Sequence, residues 1–275
     1  MTEPMTWMIT GANRGLGRAL TVAVLEAGHH VVATTRGESS LPTHDRLRVL
    51  HLDVRDRDAA RRCVHEAASV TGRLDVLVNN AGYGLIGAIE EVSETDLREI
   101  VETNTFGPVW LCQAAIPLMR DQGSGHIVQI STVGAVGTMP MLGAYNASKW
   151  ALEAFSEAMA AEVRDFGIRV SLIEPGALDT EWAGGSMRFS TPSAAYERLR
   201  EDLFGTAEVP WPVAEPVGGT SPRDAAVEII SHVLGTGDGR LRVLIGDDAP
   251  AAVRTALDRR RDDYARDPRF RDDGV

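Results

Sequence analysis

The chain opens with a compact apolar run, Thr6 to Thr10, and similar runs recur along it. They are His30 to Thr35, Leu47 to Leu52, Leu74 to Val78, Ile127 to Ile130, Ile168 to Ile173 and Leu241 to Ile245. Each is short, continuous and rich in branched apolar residues, the pattern of strands covered on both faces. Between them lie stretches of helical composition: Leu16 to Ala27, Asp56 to Val70, Ala144 to Val163, and a segment from Ser221 to about Val233. Gly28 is a natural stop for the first of these. Ser221 followed by Pro222 suits an N-cap and a first helical position. Ser93, with Asp96 three residues on, resembles a helix entry. The helical pattern after it runs towards Met119, and Pro108 and Pro117 are expected to bend or interrupt it.

Apolar strands separated by helices predict an α/β fold: a doubly wound, Rossmann-type parallel sheet of about seven strands with helices on both faces. Among 275 residues, 44% are hydrophobic and 24% charged, which suits a soluble globular chain with a sizeable core. No compositional break or internal repeat divides it, so residues 1–275 are expected to form a single domain. Thr180 to Thr220 differs from the rest. It carries Gly184, Gly185, Pro192, Pro210, Pro212 and Pro216, with Trp182 and Trp211. Such a long excursion is usually a lid or a binding segment. A helical tail is expected over about 250–275, where Arg259-Arg260-Arg261 beside Asp262-Asp263 suits a solvated helix end.

Charge and residue counts exclude several classes. A net charge of −11 argues against nucleic-acid and anionic-membrane partners, so an anionic cofactor needs local basic residues. No Asp, Glu, Lys or Arg lies between His126 and Ser148, but Gln129, Ser131, Thr132, Pro140 and several glycines suit a buried strand and loop better than a membrane span. No basic region precedes an apolar run at the N-terminus, so a cytoplasmic location is expected. Cys63 and Cys112 suit buried free thiols, and the seven histidines lack ligand spacing, so no metal is expected.

Two motifs carry chemistry. Thr10-Gly11-Ala12-Asn13-Arg14-Gly15-Leu16-Gly17 joins the first apolar run to the first helix. Glycines there let the backbone turn sharply against a pyrophosphate, whose charge the helix N-terminus favours. The second run ends in Thr35-Arg36, where a reader of an unphosphorylated ribose would place an acid. Arg14 and Arg36 together could clamp a 2′-phosphate, which predicts NADP(H). The second motif is Tyr145-Asn146-Ala147-Ser148-Lys149, whose tyrosine and lysine share one helix face. A phenol near pKa 10 exchanges protons poorly at neutrality, and a neighbouring ammonium is expected to bring it down.

In this order, the motifs resemble those of the short-chain dehydrogenase/reductase family, in its single-domain branch. The match runs over about residues 5–245: the glycine turn, Asp53, Asn79-Asn80-Ala81-Gly82, Asn104, a hydroxyl after the fifth run, Tyr145 to Lys149, and Pro175-Gly176 with Thr180. The resemblance implies that Asp53 and the Val54 backbone bind adenine, and that the Asn79-to-Gly82 segment, including Asn80 and Ala81, supports the central strand and the cofactor. It implies that Asn104 holds a water leading from Lys149 to solvent, and that Lys149 also binds the nicotinamide ribose. Pro175, Gly176 and Thr180 would flank the nicotinamide. The family's usual serine falls at Thr132, with Ser131 beside it. Thr132 keeps the hydroxyl, and strand alternation would turn Ser131 the other way. The alternatives are that Ser131 serves through a local bulge, or that activity is weakened.

The implied activity is hydride transfer between NADP(H) and a carbonyl or alcohol, with Tyr145 as acid and base. Two other readings stand beside it: a dinucleotide-binding regulator without turnover, and a same-fold enzyme performing imine reduction, dehydration or epimerisation. Trp182, Met187, Phe189 and Trp211 point to a hydrophobic, bulky substrate, or equally to residues packing the excursion onto the body. Ala151, Leu152, Phe155, Ala158 and Met159 spread over more than one face of their helix. That predicts burial against both the sheet and a second copy, and the resemblance implies a homodimer or homotetramer.

Overall fold

The computed structural model describes residues 3–179, 187–209, 219–235 and 239–270. Seven strands form one parallel sheet: β1 (Thr6–Thr10), β2 (His30–Thr35), β3 (Leu47–His51), β4 (Val76–Asn79), β6 (Gly125–Ile130), β7 (Ile168–Pro175) and β9 (Arg242–Ile245), in the order β3-β2-β1-β4-β6-β7-β9. The sequence foresaw all seven strands. Two further short strands, β5 (Gly84–Ile86) and β8 (Met187–Phe189), pair with each other in a second small sheet. Three residues each are too few for a visible period, so the sequence did not announce them.

The period of two along each buried strand sorts its side chains into two cores. Trp7, Ile9, Val31, Ala33, Val76 and Val78 pack with α1 (Gly15–Glu26) and α7 (Pro222–Leu234). Met8, Val32, Leu77 and Ile127 face the other way, onto α2 (Arg57–Ser69), α4 (Gly107–Gln122) and the far end of α5 (Gly143–Val163). Both faces are thus covered, as continuous apolar strands require. Cys63 and Cys112 are buried free thiols in the second core. The strand order reverses between β1 and β4, and such a reversal opens a crevice at the carboxyl ends of the strands.

The prolines do not interrupt the helical segment as expected. α3 (Glu94–Val101) continues through a π turn (Glu102–Phe106) directly into α4, with Pro108 in the first turn of α4 and Pro117 inside it. The Gly107 N–H donates to Glu102 O, five residues back. The wider turn falls just where Pro108 has no N–H to give, so the chain changes helix type instead of breaking. The tail forms α8 (Ala249–Tyr264). It is more than a solvated end: Arg260 lies over the Trp150 ring at 4.6 Å and donates to Val136 O at 2.9 Å. Part of the outer face of α5 is thus covered by the chain itself, while Phe155 stays exposed.

The excursion is pinned at its base, where Thr220 N–H donates to Ala177 O and Asp179 N–H to Thr220 O, each at 3.0 Å. Trp182 and Trp211 lie outside the described residues. Met187 and Phe189 sit in an apolar cluster with Ile86, Ala88 and Met141, so they pack the excursion onto the body. α6 (Glu197–Phe204) is held by a buried ion pair, Arg200 Nη1 to Glu91 Oε1 at 2.9 Å. Burial works against charge on Glu91, but hydrogen bonds from the Ser193 and Ala88 N–H groups and Arg200 outweigh it and hold the carboxyl below its ordinary range. Arg200→Met strands that carboxylate and is expected to lower the unfolding free energy by about 3 kcal/mol. The pair's contribution is present above the ordinary carboxylate range and is lost as pH falls through the depressed value. Urea unfolding of both proteins at pH 7 and near pH 3 checks this, and an equal midpoint at pH 7 refutes it.

Candidate active site

One cleft of about 520 Å³ runs along the carboxyl ends of the central strands. Gly11, Asn13, Arg14, Gly15, Leu16, Gly17, Arg36, Asp53, Val54, Asn80, Ala81, Gly82, Tyr145, Lys149, Pro175 and Gly176 all line it. Thr180 lies outside the described residues. Asn104 does not line the cleft; it is fully buried behind it.

The glycine turn is shaped by close approach. Gly11 has φ +65°, and a Cβ there would sit 2.8 Å from Ala81 Cα; a Cβ on Gly17 would sit 2.5 Å from Gly11 O. The turn delivers the N-terminus of α1 into the cleft with Arg14 as an N-cap whose side chain makes no capping bond. Its first N–H groups therefore lack a side-chain acceptor and are available to an anion. Asn13 ties the turn to the segment after β2: its Nδ2 donates to Glu38 O at 2.9 Å, and its Oδ1 accepts from Ser40 N–H at 2.7 Å. That segment carries Arg36, so both arginines are fixed to one loop pair. The Asp53 carboxylate is gripped by Arg55, with contacts of 2.7–3.1 Å that hold it below its ordinary range.

Thr10, unassigned beyond its place in the glycine motif, is the clasp of the cleft floor. Its hydroxyl accepts from the N–H groups of Asn80 and Ala81, both at 3.0 Å, and donates to Val78 O at 3.3 Å. Asn80 Nδ2 donates back to Thr10 O at 2.8 Å. Asn79 turns the other way, donating to Cys112 Sγ in the core.

At the other end of the cleft, successive turns of α5 meet the end of β6. The Tyr145 hydroxyl is hydrogen-bonded with that of Thr132. Thr132 Oγ1 also accepts from Gly134 N–H at 3.1 Å. Ser131 faces the opposite way and donates to Glu153. The hydroxyl beside the tyrosine is therefore that of Thr132, as strand alternation suggested. Lys149 Nζ donates to Ile130 O at 2.7 Å. The tyrosine departs from expectation. Burial dominates over any neighbouring charge and pushes its phenol up to about 12, against the Thr132 hydrogen bond. Burial also pulls the Lys149 ammonium down to about 8, against the pull of Glu153. The ammonium donates to Ile130 O, and the Tyr145 shift is set by burial and by Thr132.

Asn104 sits in the π turn. Its Nδ2 donates to Tyr83 O at 2.9 Å and Ser148 Oγ at 3.0 Å, while its Oδ1 accepts from Tyr83 N–H at 3.1 Å. The side chain thus fastens three segments together. Its own carbonyl has lost the ordinary α-helical donor, because the residue four positions on is Pro108. The composition held one further signal: Lys149 is the single lysine among 28 lysines and arginines. A titratable amine stands only where a permanently charged guanidinium would not serve.

The family model described as short chain dehydrogenase matches residues 6–188. The chain belongs to that family, whose relatives are oxidoreductases. It is 36% identical over 257 residues to the oxidoreductase BOA17 of Botryotinia fuckeliana, an alignment covering 88% of this chain and 89% of that one. It is also 36% identical over 193 residues to human retinol dehydrogenase 8, covering 66% of this chain and 61% of that one. A short-chain dehydrogenase from Streptomyces avermitilis superposes with a TM-score of 0.84 at 35% identity, over 95% of this chain and 96% of that structure. The match to the family model stops within the excursion, so it covers six of the seven strands of the main sheet, the glycine turn and the Tyr145–Lys149 helix, and leaves β9 outside.

Thr10→Val keeps the shape of the side chain but leaves the Ala81 N–H without its acceptor and the Asn80 N–H with Val78 O alone. The expected loss of stability is about 1–3 kcal/mol. Dinucleotide affinity should fall with it, because Ala81 and Gly11 no longer hold their approach. Chemical unfolding and fluorescence titration with NADP⁺ check the two effects, and a variant with unchanged stability disproves the clasp.

Proposed function

We propose that this chain is an NADP(H)-dependent reductase or dehydrogenase acting on a carbonyl/alcohol pair, with Tyr145 exchanging the proton on the substrate oxygen. The observation that carries the reading is a convergence. The uncapped N-terminus of α1, Arg14 and Arg36 share one cleft with Thr132, Tyr145 and Lys149. The glycine cradle, too narrow for a Cβ, fits a pyrophosphate, and two guanidinium groups fit a 2′-phosphate. Structures with this fold hold either cofactor: one from Burkholderia cenocepacia is a complex with NADP, and one from Burkholderia phymatum a complex with NAD. The arginines and the missing acid after β2 favour NADP(H) here.

A bound nicotinamide supplies or accepts the hydride. The residues of the chain supply position and protons. Tyr145 and Thr132 donate hydrogen bonds to the substrate oxygen, and the neutral phenol, kept protonated by burial, gives up its proton in the reductive direction. Lys149 and a water held by Asn104 restore it. Pro175 and Gly176, which line the cleft, would flank the nicotinamide; Thr180 lies outside the described residues. Tyr83 shares an apolar cluster with Tyr145, Leu85 and Ile100, which supports a hydrophobic substrate. The outer sides of the π turn and of α5, where Phe106 and Phe155 remain exposed, suit a second copy of the chain.

Purified protein is expected to oxidise NADPH with an activated ketone or aldehyde, and Tyr145→Phe should abolish the reaction. Retained turnover in that variant would sink the role given to Tyr145. Reduction needs both the Tyr145 proton and the Lys149 ammonium. The phenol stays protonated to about 12, so the rate should hold below about 8 and fall as pH rises through that value with Lys149. Cofactor choice has its own test: replacing Arg14 and Arg36 with alanine should raise KM for NADPH at least about tenfold and leave that for NADH within about twofold. An equal effect on both cofactors would remove the 2′-phosphate from the account.

A further inference from the structure

Behind the cleft lies a cluster of ionisable residues that the proposed reaction does not use. Glu153 and Glu174 are both buried, and Ser131 lies between their strands and helix. Arg242 of β9 reaches Glu174 through Nε at 3.2 Å, and its Nη2 lies 3.6 Å from Glu153 and 3.2 Å from Glu157. We propose that Glu153 is a positioning residue for the Tyr145–Lys149–Thr132 set, acting through its hydrogen bond from Ser131 and through its charge on Lys149. This rests on the active-site reading above.

The geometry is a three-rung connection between one helix face and one strand end. Tyr145, Lys149 and Glu153 are spaced by four residues, so they stack along a single face of α5. Their partners are three consecutive residues: Thr132 for Tyr145, the Ile130 carbonyl for Lys149, and Ser131 for Glu153. The Ser131 rung lies between the other two on the strand and one turn beyond them on the helix. It fixes how far along α5 the end of β6 is held, and so where the Thr132 hydroxyl and the Ile130 carbonyl stand.

A carboxylate is a costly way to make such a joint. Burial penalises its charge by several kcal/mol, and an apolar residue would pack the same gap at less cost. What the charge adds is its action on a neighbour. Lys149 is one turn away and is pulled down by burial, and Glu153 is the group that opposes this. The groups facing Glu153 are Lys149 and Glu157 on its own helix, Ser131 on β6, Glu174 on β7 and Arg242 on β9. Burial raises the Glu153 carboxyl above its ordinary range, and Ser131 and Arg242 oppose that shift. Glu174 is pushed up to about 7 by burial and by Glu153. Of the two acids, Glu153 is the one that also receives the Ser131 hydrogen bond, and it is the one a helix turn from the lysine.

Lys149 is the only lysine in the chain, so amine chemistry reports on it directly. Its rate of acetylation by acetic anhydride can be followed against pH by mass spectrometry, with the N-terminal amine as internal standard. Two variants separate the two actions. Glu153→Gln keeps an acceptor for Ser131 and removes the charge; Glu153→Asp keeps the charge and loses the reach. The apparent pKa of Lys149 should fall by about one unit in Glu153→Gln and by less than half as much in Glu153→Asp. In NADPH-linked reduction, kcat of Glu153→Asp should fall about tenfold, with KM for NADPH within about twofold. The alkaline limb should move to lower pH in Glu153→Gln alone. An unchanged labelling profile in Glu153→Gln overturns the action on Lys149, and an unchanged kcat in Glu153→Asp overturns the positioning. Should Glu153→Gln fail to fold by circular dichroism, the Glu153→Asp kinetics decide. A shifted labelling profile with no carbonyl reduction by any form, wild type included, would reject the reductase reading while leaving the hold of Glu153 on Lys149 intact.

Discussion

The Thr10 hydroxyl is the contact on which both ends of the cleft depend. A parallel sheet that reverses its winding leaves its two central strands diverging at their carboxyl ends, with no shared loop to join them. Here one hydroxyl spans that divergence, accepting two N–H groups from the segment after β4 and donating to β4 itself. The bond lets Gly11 approach Ala81 so closely that only hydrogen fits between them. On one side that approach aims the glycine turn and α1. On the other it sets Gly82 against Asn104 and Lys149, whose atoms lie 3.0 and 3.6 Å from where a Cβ would stand. A local geometric demand at the switch point thus reaches the cofactor cradle and the proton-handling residues together.

A second constraint is the cost of burying ionisable groups. Tyr145 and Lys149 are both pushed by burial towards their neutral forms, the phenol up and the amine down. For an acid catalyst this helps the phenol and harms the lysine. On the proposed reading, the charge that offsets this for the lysine is the Glu153 carboxylate one helix turn away, because a second cation beside the phenol would pull the lysine down further. An arginine at position 149 would stay charged despite the cost of burial, but it would have no proton to pass on. That contrast gives a physical reason for a chain otherwise built on arginine to keep its one lysine there.

Most of the fold was legible in the sequence because seven strands buried on both faces write themselves as apolar runs. The glycine turn and Tyr145–Lys149 were legible because each is a local motif. What escaped was relational. The Arg200–Glu91 pair joins residues 109 positions apart and has no periodic trace. Nor does the grip of Arg55 on Asp53 show before the backbone places them. Pro108 was read as a bend or an interruption because sequence shows the missing donor but not the five-residue turn that absorbs it. The direction of the Tyr145 shift depends on burial, which only the packed structure supplies. The choice between Ser131 and Thr132 needed only strand alternation, and the sequence already pointed to the residue that meets the tyrosine.

The two halves of the cleft are built by separate means, and this bears on what the family shares. The adenosine end is held by the Asn13 bonds to the loop after β2, so Arg36 can change without touching the chemistry. The reacting end is held by α5 against β6 and the π turn, through Asn104, Ser148 and the contacts of Tyr145, Lys149 and Glu153. Among the described residues, the structure the two ends share is the floor, β1 and β4, joined by Thr10. β5, β8 and α6 belong to neither half: they are fastened to the body through Glu91 and an apolar cluster of their own. The loop after β2 and this outer layer are therefore held by separate contacts, while the floor between the halves is tied by the Thr10 hydrogen bonds.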